Sequence, residues 1–423
     1  MGPRSLACML SQEIVPQMRA LAETVWRLVR RDKSQTAVHL ISRVLGELEL
    51  SRSDPQRQDS DQRAYLLNLR GVIYAQRGQE QTALADLTAA CEQSPSWPVP
   101  LYNLGLCHKQ QKRWSEAVQV LQQALACVRK QAGRFTGPSA MGSSSGLSRA
   151  VMWNLGIALT ALGRSEEARA TWQACGIAPP RGTAHADMGL AQLSLPTQGP
   201  YAVERVWVQR LDPARARILS VVRYGAPCQF GDVVLCDSGS SNPQGGFTDG
   251  LLATDNDDTE SESSASGLQF LDLLEAAGYA LHVVQGGPAS ATQAMTLTER
   301  LRENGLHIEV WSLTMKLPGS APPPDSGSEE RAATPLCAGL VLPAGPLREA
   351  SPLGPLRLAD GEIPAALLPN DAQRTAEKAI AVLNSAAREV GLSLCAPTLM
   401  TAAGDELGAA RHRKQLKRAV GEK

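Results

Sequence analysis

From Ile14 to about Pro180 the apolar residues recur at intervals of three and four, the spacing that gathers them on one face of a helix. IVPQMRALAETVWRLVRR and SQTAVHLISRVLGELEL predict a first helical hairpin, with Ser34 placed to cap its second helix. Three further helix pairs follow in one register. Gly71, Ala83, Leu87 and Ala90 return 34 residues later as Gly105, Ala117, Leu121 and Ala124. They return again 51 residues on as Gly156, Ala168, Trp172 and Cys175, so an insertion of 17 residues, 134–150, precedes the third copy. Beyond Pro200 the period shortens toward alternation. AVERVWVQRL and ARARILSVV, joined at Asp212-Pro213, predict a strand hairpin, and FGDVVLCDS a third strand. LQFLDLLEAAG then predicts a helix, YALHVVQ a strand, SATQAMTLTERLREN a helix ended by Gly305, and LHIEVWSL a strand. Strand, helix, strand in that order predicts a βαβ crossover, giving a small α+β domain over 201–316.

The register has a steric meaning. Two antiparallel helices approach closely only where one side chain is absent or a single methyl, so Gly and Ala at fixed positions mark the crossing of each pair. Each pair leaves an apolar face that only the next pair covers, and about three pairs are needed for stability. The hairpin within residues 1–60 lacks the Gly/Ala pattern and is expected to cap the array over 61–182.

LNLRGVIYAQRGQEQTALADLTAACEQSP, LYNLGLCHKQQKRWSEAVQVLQQAL and WNLGIALTALGRSEEARATWQACGIAPP resemble the tetratricopeptide repeat family. The resemblance covers units of about 64–97, 98–131 and 149–182. It implies a solenoid held by Gly71, Tyr74, Ala83, Gly105, Ala117, Gly156 and Ala168, with His108 where the family prefers Tyr. It also implies a groove for a peptide or protein segment, lined by Tyr65, Asn68, Tyr102, Asn103, Leu106, Lys109, Trp153, Asn154 and Ile157. Asn103 and Asn154 stand two residues before their Gly, where the family often bonds a peptide backbone; the first repeat has Leu69 there. They are equally suited to hold their own helices. Members that clamp a terminal carboxylate need Lys or Arg where this chain has Asn68, Val72 and Asn154, which argues against a heat-shock co-chaperone. The stretch RLDPARARILSVVRYGAPCQFGDVVL after such an array is similar to uncharacterised bacterial repeat proteins with an extra C-terminal domain, a likeness that implies no activity.

Composition narrows the reading. The chain has 423 residues, 43% of them hydrophobic, enough for two or three cored domains. Its nine cysteines include no C-x-x-C pair and suit reduced thiols in the cytoplasm. No run reaches 18 apolar residues, and MGPRSLACML lacks a signal-peptide core, so neither a membrane span nor a secretory leader is expected. Gly2 invites myristoylation, but position 6 is Leu rather than Ser or Thr. From Tyr224 to Glu299 there are eleven acidic residues and no Lys or Arg, whereas residues 1–200 hold 22 Lys and Arg against 15 Asp and Glu. The loop 239–267 is acidic and reads first as a solubilising loop; the alternative is that it folds back on the array, whose residues 64–182 carry 12 basic against 6 acidic side chains. Phosphorylation at Thr259, Ser261 or Ser263 would deepen its charge. The whole-chain balance, net zero, disfavours a nucleic-acid binder, although the 392–423 tail is basic. Residues 317–370, rich in Pro, Gly and Ser, read as linker followed by loosely ordered chain. A last helix, 371–391, follows Asp371 and carries the stripe Ala376, Ile380 and Leu383, which needs a layer to dock on.

Motifs for chemistry are missing. No Walker, zincin, nucleophile-elbow or dinucleotide fingerprint occurs, and TDNDDTESESS lacks the Gly and the final Glu of a calcium loop. Gly286-Gly287 before a helix suits a turn better than an anion site. No cofactor and no metal are expected. The reading is a non-enzymatic scaffold or adaptor. The alternative is an enzyme whose α+β domain is catalytic and whose array recruits the substrate.

Residues 1–182 should fold alone as an almost wholly helical unit. Circular dichroism of that fragment checks this, and a strand-rich or disordered spectrum would refute the repeat assignment.

Overall fold

A computed structural model describes residues 14–50, 57–132, 141–177, 188–197, 203–223, 225–237, 268–311, 334–343, 357–358, 361–362 and 372–420. The chain forms two compact units, residues 1–179 with 238–266, and residues 180–237 with 267–423. The acidic loop, the 317–333 linker and Gly2 lie outside the described residues.

The described residues of the first unit form four helical hairpins: α1 (Ile14–Arg30) and α2 (Ser34–Leu50), α3 (Arg57–Gln76) and α4 (Glu80–Gln93), α5 (Pro98–Gln110) and α6 (Trp114–Ala132), α7 (Met141–Ala161) and α8 (Ser165–Ala174). α7 starts inside the expected insertion, so the third repeat has a lengthened first helix. One turn closes all four hairpins. The backbone N–H groups of Lys33, Gln79, Arg113 and Arg164 donate to the carbonyls of Leu28, Tyr74, His108 and Leu159, each at 2.9 Å. The residue before each donor is left-handed: Asp32, Gly78, Lys112 and Gly163, with φ of 58°, 70°, 56° and 69°. Aligned on that turn, the first hairpin places Ala37 and Ile41, both fully buried, in the slots of Ala83 and Leu87. Val25 stands where the repeats have Gly. It is a degenerate copy. Ser34 is the first residue of α2 rather than its cap.

The steric requirement at the crossings is visible directly. A Cβ on Gly71 or Gly105 would lie 2.8 Å from Leu87 Cγ or 2.7 Å from Leu121 Cγ, and one on Gly156 would lie 2.6 Å from the Trp172 ring.

The second unit begins with a closed barrel of β1 (Leu190–Pro196), β2 (Val203–Arg210), β3 (Arg215–Ile218), β4 (Val233–Asp237) and β5 (Leu268–Glu275). A meander reverses direction at every strand, so the first and fifth run the same way and close in parallel, Leu193 opposite Leu268. Inward residues from alternate positions, Leu193, Leu195, Val206, Val208, Ile218 and Val234, fill it. The β2–β3 hairpin and the β4 strand match the sequence pattern; β1 lies ahead of residue 201, where no element is expected, although Leu193 and Leu195 alternate with Gln192 and Ser194.

The helix expected at LQFLDLLEAAG is instead β5. Its register against β4 skips Leu271 and Leu274, two bulged residues that shift the phase of alternation and bring the leucines to a helix-like spacing. Barrel closure overrides that local pattern.

A four-stranded sheet follows, in the order β11 (Leu394–Cys395), β6 (Tyr279–Ala289), β8 (Thr334–Pro343), β7 (His307–Val310). α9 (Ala291–Glu303) links β6 to β7, but β8 lies between those strands and runs antiparallel to both, so the expected adjacent βαβ pair is split. β8 also corrects the reading of 337–370 as loosely ordered. Leu336, Ala338, Leu340 and Leu342 are buried among helices, and this short apolar run outweighs its Pro- and Gly-rich flanks. Gly286-Gly287 is a bulge inside β6 rather than a turn, and Ser290 caps α9 through a reciprocal box with Gln293. β9 (Arg357–Leu358) and β10 (Gly361–Glu362) form a separate small ladder.

α10 (Ala372–Glu389) lays Ala376, Ala379, Leu383 and Ala386 on the sheet beside Leu297 and Leu301 of α9. The 392–423 tail is structured in part: α11 (Pro397–Ala402) and α12 (Glu406–Val420) pack at its start, with His412 Nδ1 accepting from the Ala396 N–H at 3.1 Å. Among the described residues no helix is long and apolar enough to cross a membrane.

Gly156→Ala should destabilise the array by about 1–3 kcal/mol, because an indole cannot swing away as a leucine tip can. Gly71→Ala should cost less, and Trp172→Leu should recover part of the Gly156→Ala loss. Thermal melts of the full chain followed by helical dichroism would show it; equal costs at the two glycines would mean that the ring yields.

Candidate functional site

The first helices of the repeats, α3, α5 and α7, bring the predicted groove residues together, and they carry a polar ladder through an otherwise apolar face. Tyr102 and Asn103 are sequence neighbours that reach opposite ways. Asn103 Nδ2 donates to Asn68 Oδ1 in the preceding repeat at 2.8 Å. Tyr102 Oη lies 3.4 Å from Asn154 Nδ2 in the following repeat. Asn154 Nδ2 also donates to the Ala150 carbonyl at 3.0 Å, and Asn154 Oδ1 accepts from Lys109 Nζ at 2.6 Å. Thus repeats one and two share one amide–amide hydrogen bond, and repeats two and three are joined through a lysine and a tyrosine.

These groups are withdrawn from water. Asn68, Asn103 and Asn154 are 0% exposed and Lys109 is 7% exposed. Leu106 and Ile157 are buried between them; Tyr65 is stacked on Trp97, with centroids 6.1 Å apart, and Trp153 is set edge-on to Trp172. A buried amide group costs free energy unless bonded, which the ladder supplies for most of its atoms. Asn68 Nδ2 is the exception, a buried donor without an acceptor.

An ion pair at the start of the array went unread in the sequence. Arg70 holds Asp86 through two bonds, Nε to Oδ2 at 2.7 Å and Nη2 to Oδ1 at 2.8 Å, and its Nη1 donates to Ser42 Oγ at 2.8 Å. One guanidinium so ties α3 to α4 and to the degenerate hairpin. Bonding to Asp86 raises the Arg70 pKa despite its burial. The available signal was an acid between the buried Ala83 and Leu87. His108, in the slot of Tyr74, is pushed toward its neutral form by burial, and the buried Cys107 thiol is pushed up to about 12 for the same reason.

In the second unit Glu204, Arg223 and Glu309 form a titratable cluster, with Arg223 Nε 3.4 Å from Glu204 Oε1. Burial raises both carboxyl pKa values. Their oxygens hold backbone: Glu309 Oε2 accepts from Val221 N–H at 2.8 Å, Glu204 Oε2 from Arg223 N–H at 3.2 Å, and Trp311 Nε1 donates to the Val221 carbonyl at 3.3 Å. This clamp fixes the β3–β4 connection on β7. Phe230 of the same connection stacks on His307, whose burial lowers its pKa to about 4. Among the described residues no group of three or more His, Cys, Asp or Glu is placed to hold a metal. The would-be calcium loop lies outside the described residues.

Residues 101–126, from α5 through most of α6, match the family model of the tetratricopeptide repeat. No curated relative matches the chain.

Asn103→Ala should cost about 1–3 kcal/mol of fold stability, since it leaves Asn68 Oδ1 buried without its donor as well as Nδ2. The double variant Asn68→Leu/Asn103→Leu should recover much of that loss. Chemical denaturation of the full chain checks both, and an Asn103→Ala chain as stable as the parent would remove the ladder from the stabilising contacts.

Proposed function

We propose that this tetratricopeptide-repeat protein is a non-enzymatic adaptor or scaffold whose concave face, lined by α3, α5 and α7, binds an extended peptide or protein segment. Repeats of this family mediate contacts between proteins, and residues 101–126 match their model. The observation that supports the reading most is the buried polar ladder from Asn68 to Lys109, with Asn68 Nδ2 left without an acceptor. A face that merely held helices together would be cheaper built of leucine, because each buried amide must be desolvated and then satisfied. Acceptors delivered by a partner's main chain would complete it.

The barrel and sheet serve in this reading as a second interaction or regulatory module. The catalytic alternative would rest on Glu204 and Glu309, neighbouring carboxyl groups that burial favours in neutral form, as it does Asp232. Their bonds to Val221 and Arg223 N–H groups are accounted for by the clamp on the β3–β4 connection, which supports a structural role. A cytoplasmic location agrees with the cysteines, all free thiols among the described residues.

The test is capture of partners from native cells by the full chain and by Lys109→Gln and Asn154→Ala variants. Each lost bond is worth about 0.5–1.5 kcal/mol, so affinity should fall roughly twofold to tenfold. Glu309→Gln, a change in the other compact unit, should capture as the parent does. Unchanged capture by folded Lys109→Gln and Asn154→Ala chains would move the binding site off this face.

A further inference from the structure

The last helix, α12, is held to the second unit by one face and turns the other to solvent. Asp405 Oδ1 opens it by accepting from the Gly408 N–H at 2.7 Å. Ala409 is fully buried, His412 Nδ1 accepts from the Ala396 N–H, and Cys395 Sγ donates to Gln415 Oε1 at 3.4 Å. Positions 405, 408, 409, 412 and 415 therefore make the inner face. Leu407, Ala410, Arg411 and Lys414 are exposed on the other side, and the helical period continues that side through positions 417 and 418. The stretch 411–418, RHRKQLKR, has five Arg and Lys and no Asp or Glu. Arg413, on the flank, donates from Nη2 to Thr401 Oγ1 at 3.1 Å and stands 3.8 Å from Glu406 Oε2. Arg411 and Lys414 make no hydrogen bond or ion pair among the described residues.

Cations so placed repel one another, because 411 and 414, 413 and 417, and 414 and 418 are three or four residues apart on one helix. The helix dipole favours positive charge in the last turn, but Arg411 and Arg413 stand in the middle of α12. An anion laid along the outer face removes the repulsion. Charge density selects the anion. Five cations over seven rises of 1.5 Å is one per about 2 Å, close to the one phosphate per about 1.7 Å of a nucleic-acid duplex. An extended acidic polypeptide offers at most one carboxylate per about 3.3 Å. A helix that lies on a membrane needs a bulky apolar stripe, and among the described residues the outer face has Leu407 alone. The net charge of zero averages over the whole chain, whereas fields between exposed charges fade within about 8 Å at physiological salt. A bound phosphate senses α12.

We propose that α12 is a nucleic-acid contact, its outer face following the phosphate backbone of a duplex without regard to base sequence. The contact is separate from the concave face of the array, so one chain could hold a protein segment and a nucleic acid together.

The experiment is fluorescence anisotropy of the full chain with a labelled DNA duplex of mixed sequence, two helical turns long, and circular dichroism to confirm each fold. The parent should bind two unrelated sequences alike, and affinity should fall by about two hundredfold between about 50 and 200 mM salt. Changing Arg411, Lys414, Lys417 and Arg418 to Gln should lower low-salt affinity at least thirtyfold and flatten the salt slope by about four, one for each cation removed. If that chain does not fold, the pair Arg411→Gln/Lys414→Gln, two exposed side chains, should flatten the slope by about two. The exchange Arg411→Lys/Arg418→Lys, which keeps the charge, should bind as the parent does. So should a chain with Arg30, Arg31, Lys33 and Arg77 of the array changed to Gln. No duplex binding by the parent at low salt, or an undiminished slope in the Gln variants, would overturn the contact. A loss in the array variant equal to that in the α12 variant would overturn it as well. Tighter binding of polyglutamate, or of vesicles containing phosphatidylserine, than of the duplex at the same salt would assign the face to an acidic protein or a membrane instead.

Discussion

The approach of two helix backbones at Gly71, Gly105 and Gly156 is the constraint on which the array depends. At each crossing the missing side chain is replaced by a large one from the second helix, Leu87, Leu121 or Trp172, so contact area is gained where bulk was removed. That fit fixes the rotation of each of these three hairpins about its axis. Rotation in turn decides which residues of α3, α5 and α7 face one another. Only with the helices so turned can Asn103 reach Asn68 in one direction while Tyr102 approaches Asn154 in the other. A single extra methyl at a crossing would therefore be felt at the ladder as well as at the packing.

The second unit solves a different problem, that of covering strand edges. An odd meander closes on itself by a parallel contact, which leaves no free edge in the barrel. The adjoining sheet is covered on one face by α9, α10 and α11 and on the other by the β3–β4 connection through Val221 and Phe230. Glu309 and Trp311 bind the N–H and the carbonyl of Val221, in effect supplying with side chains the pair of bonds that a neighbouring strand would offer. Burial raises the Glu309 pKa, so the clamp carries the least electrostatic cost when that carboxyl is protonated. Its contribution is present below the ordinary carboxyl range and falls as pH rises through the raised value.

Polar burial is the common thread between the two units. In the array a lysine, a tyrosine and three asparagines are enclosed where leucines would pack; in the barrel and sheet unit two glutamates are enclosed where they bond backbone. The second set is satisfied internally. The first retains an orphaned donor, Asn68 Nδ2.

The sequence by itself determined the features that depend on near neighbours. The recurrence of Gly and Ala located the crossings, and the spacing of Leu, Val and Ile located eight helices of the array. Gly78 and Gly163 marked turns that Lys112 and Asp32 also make, at left-handed φ. Residues 371–391 announced a helix with a stripe to bury. Tertiary structure decided whatever depended on distant partners. β5 is a strand because Leu268 meets Leu193, 75 residues away, and because two bulges disguise its alternation. β8 is a core strand because β6 and β7 flank it, a pairing that no window around Thr334 contains. The ladder residues could be placed on one face from the repeat register alone. Whether each amide turned to its own helix, to the next repeat or outward was settled by rotamer and by packing between hairpins, and a linear pattern holds no information on either.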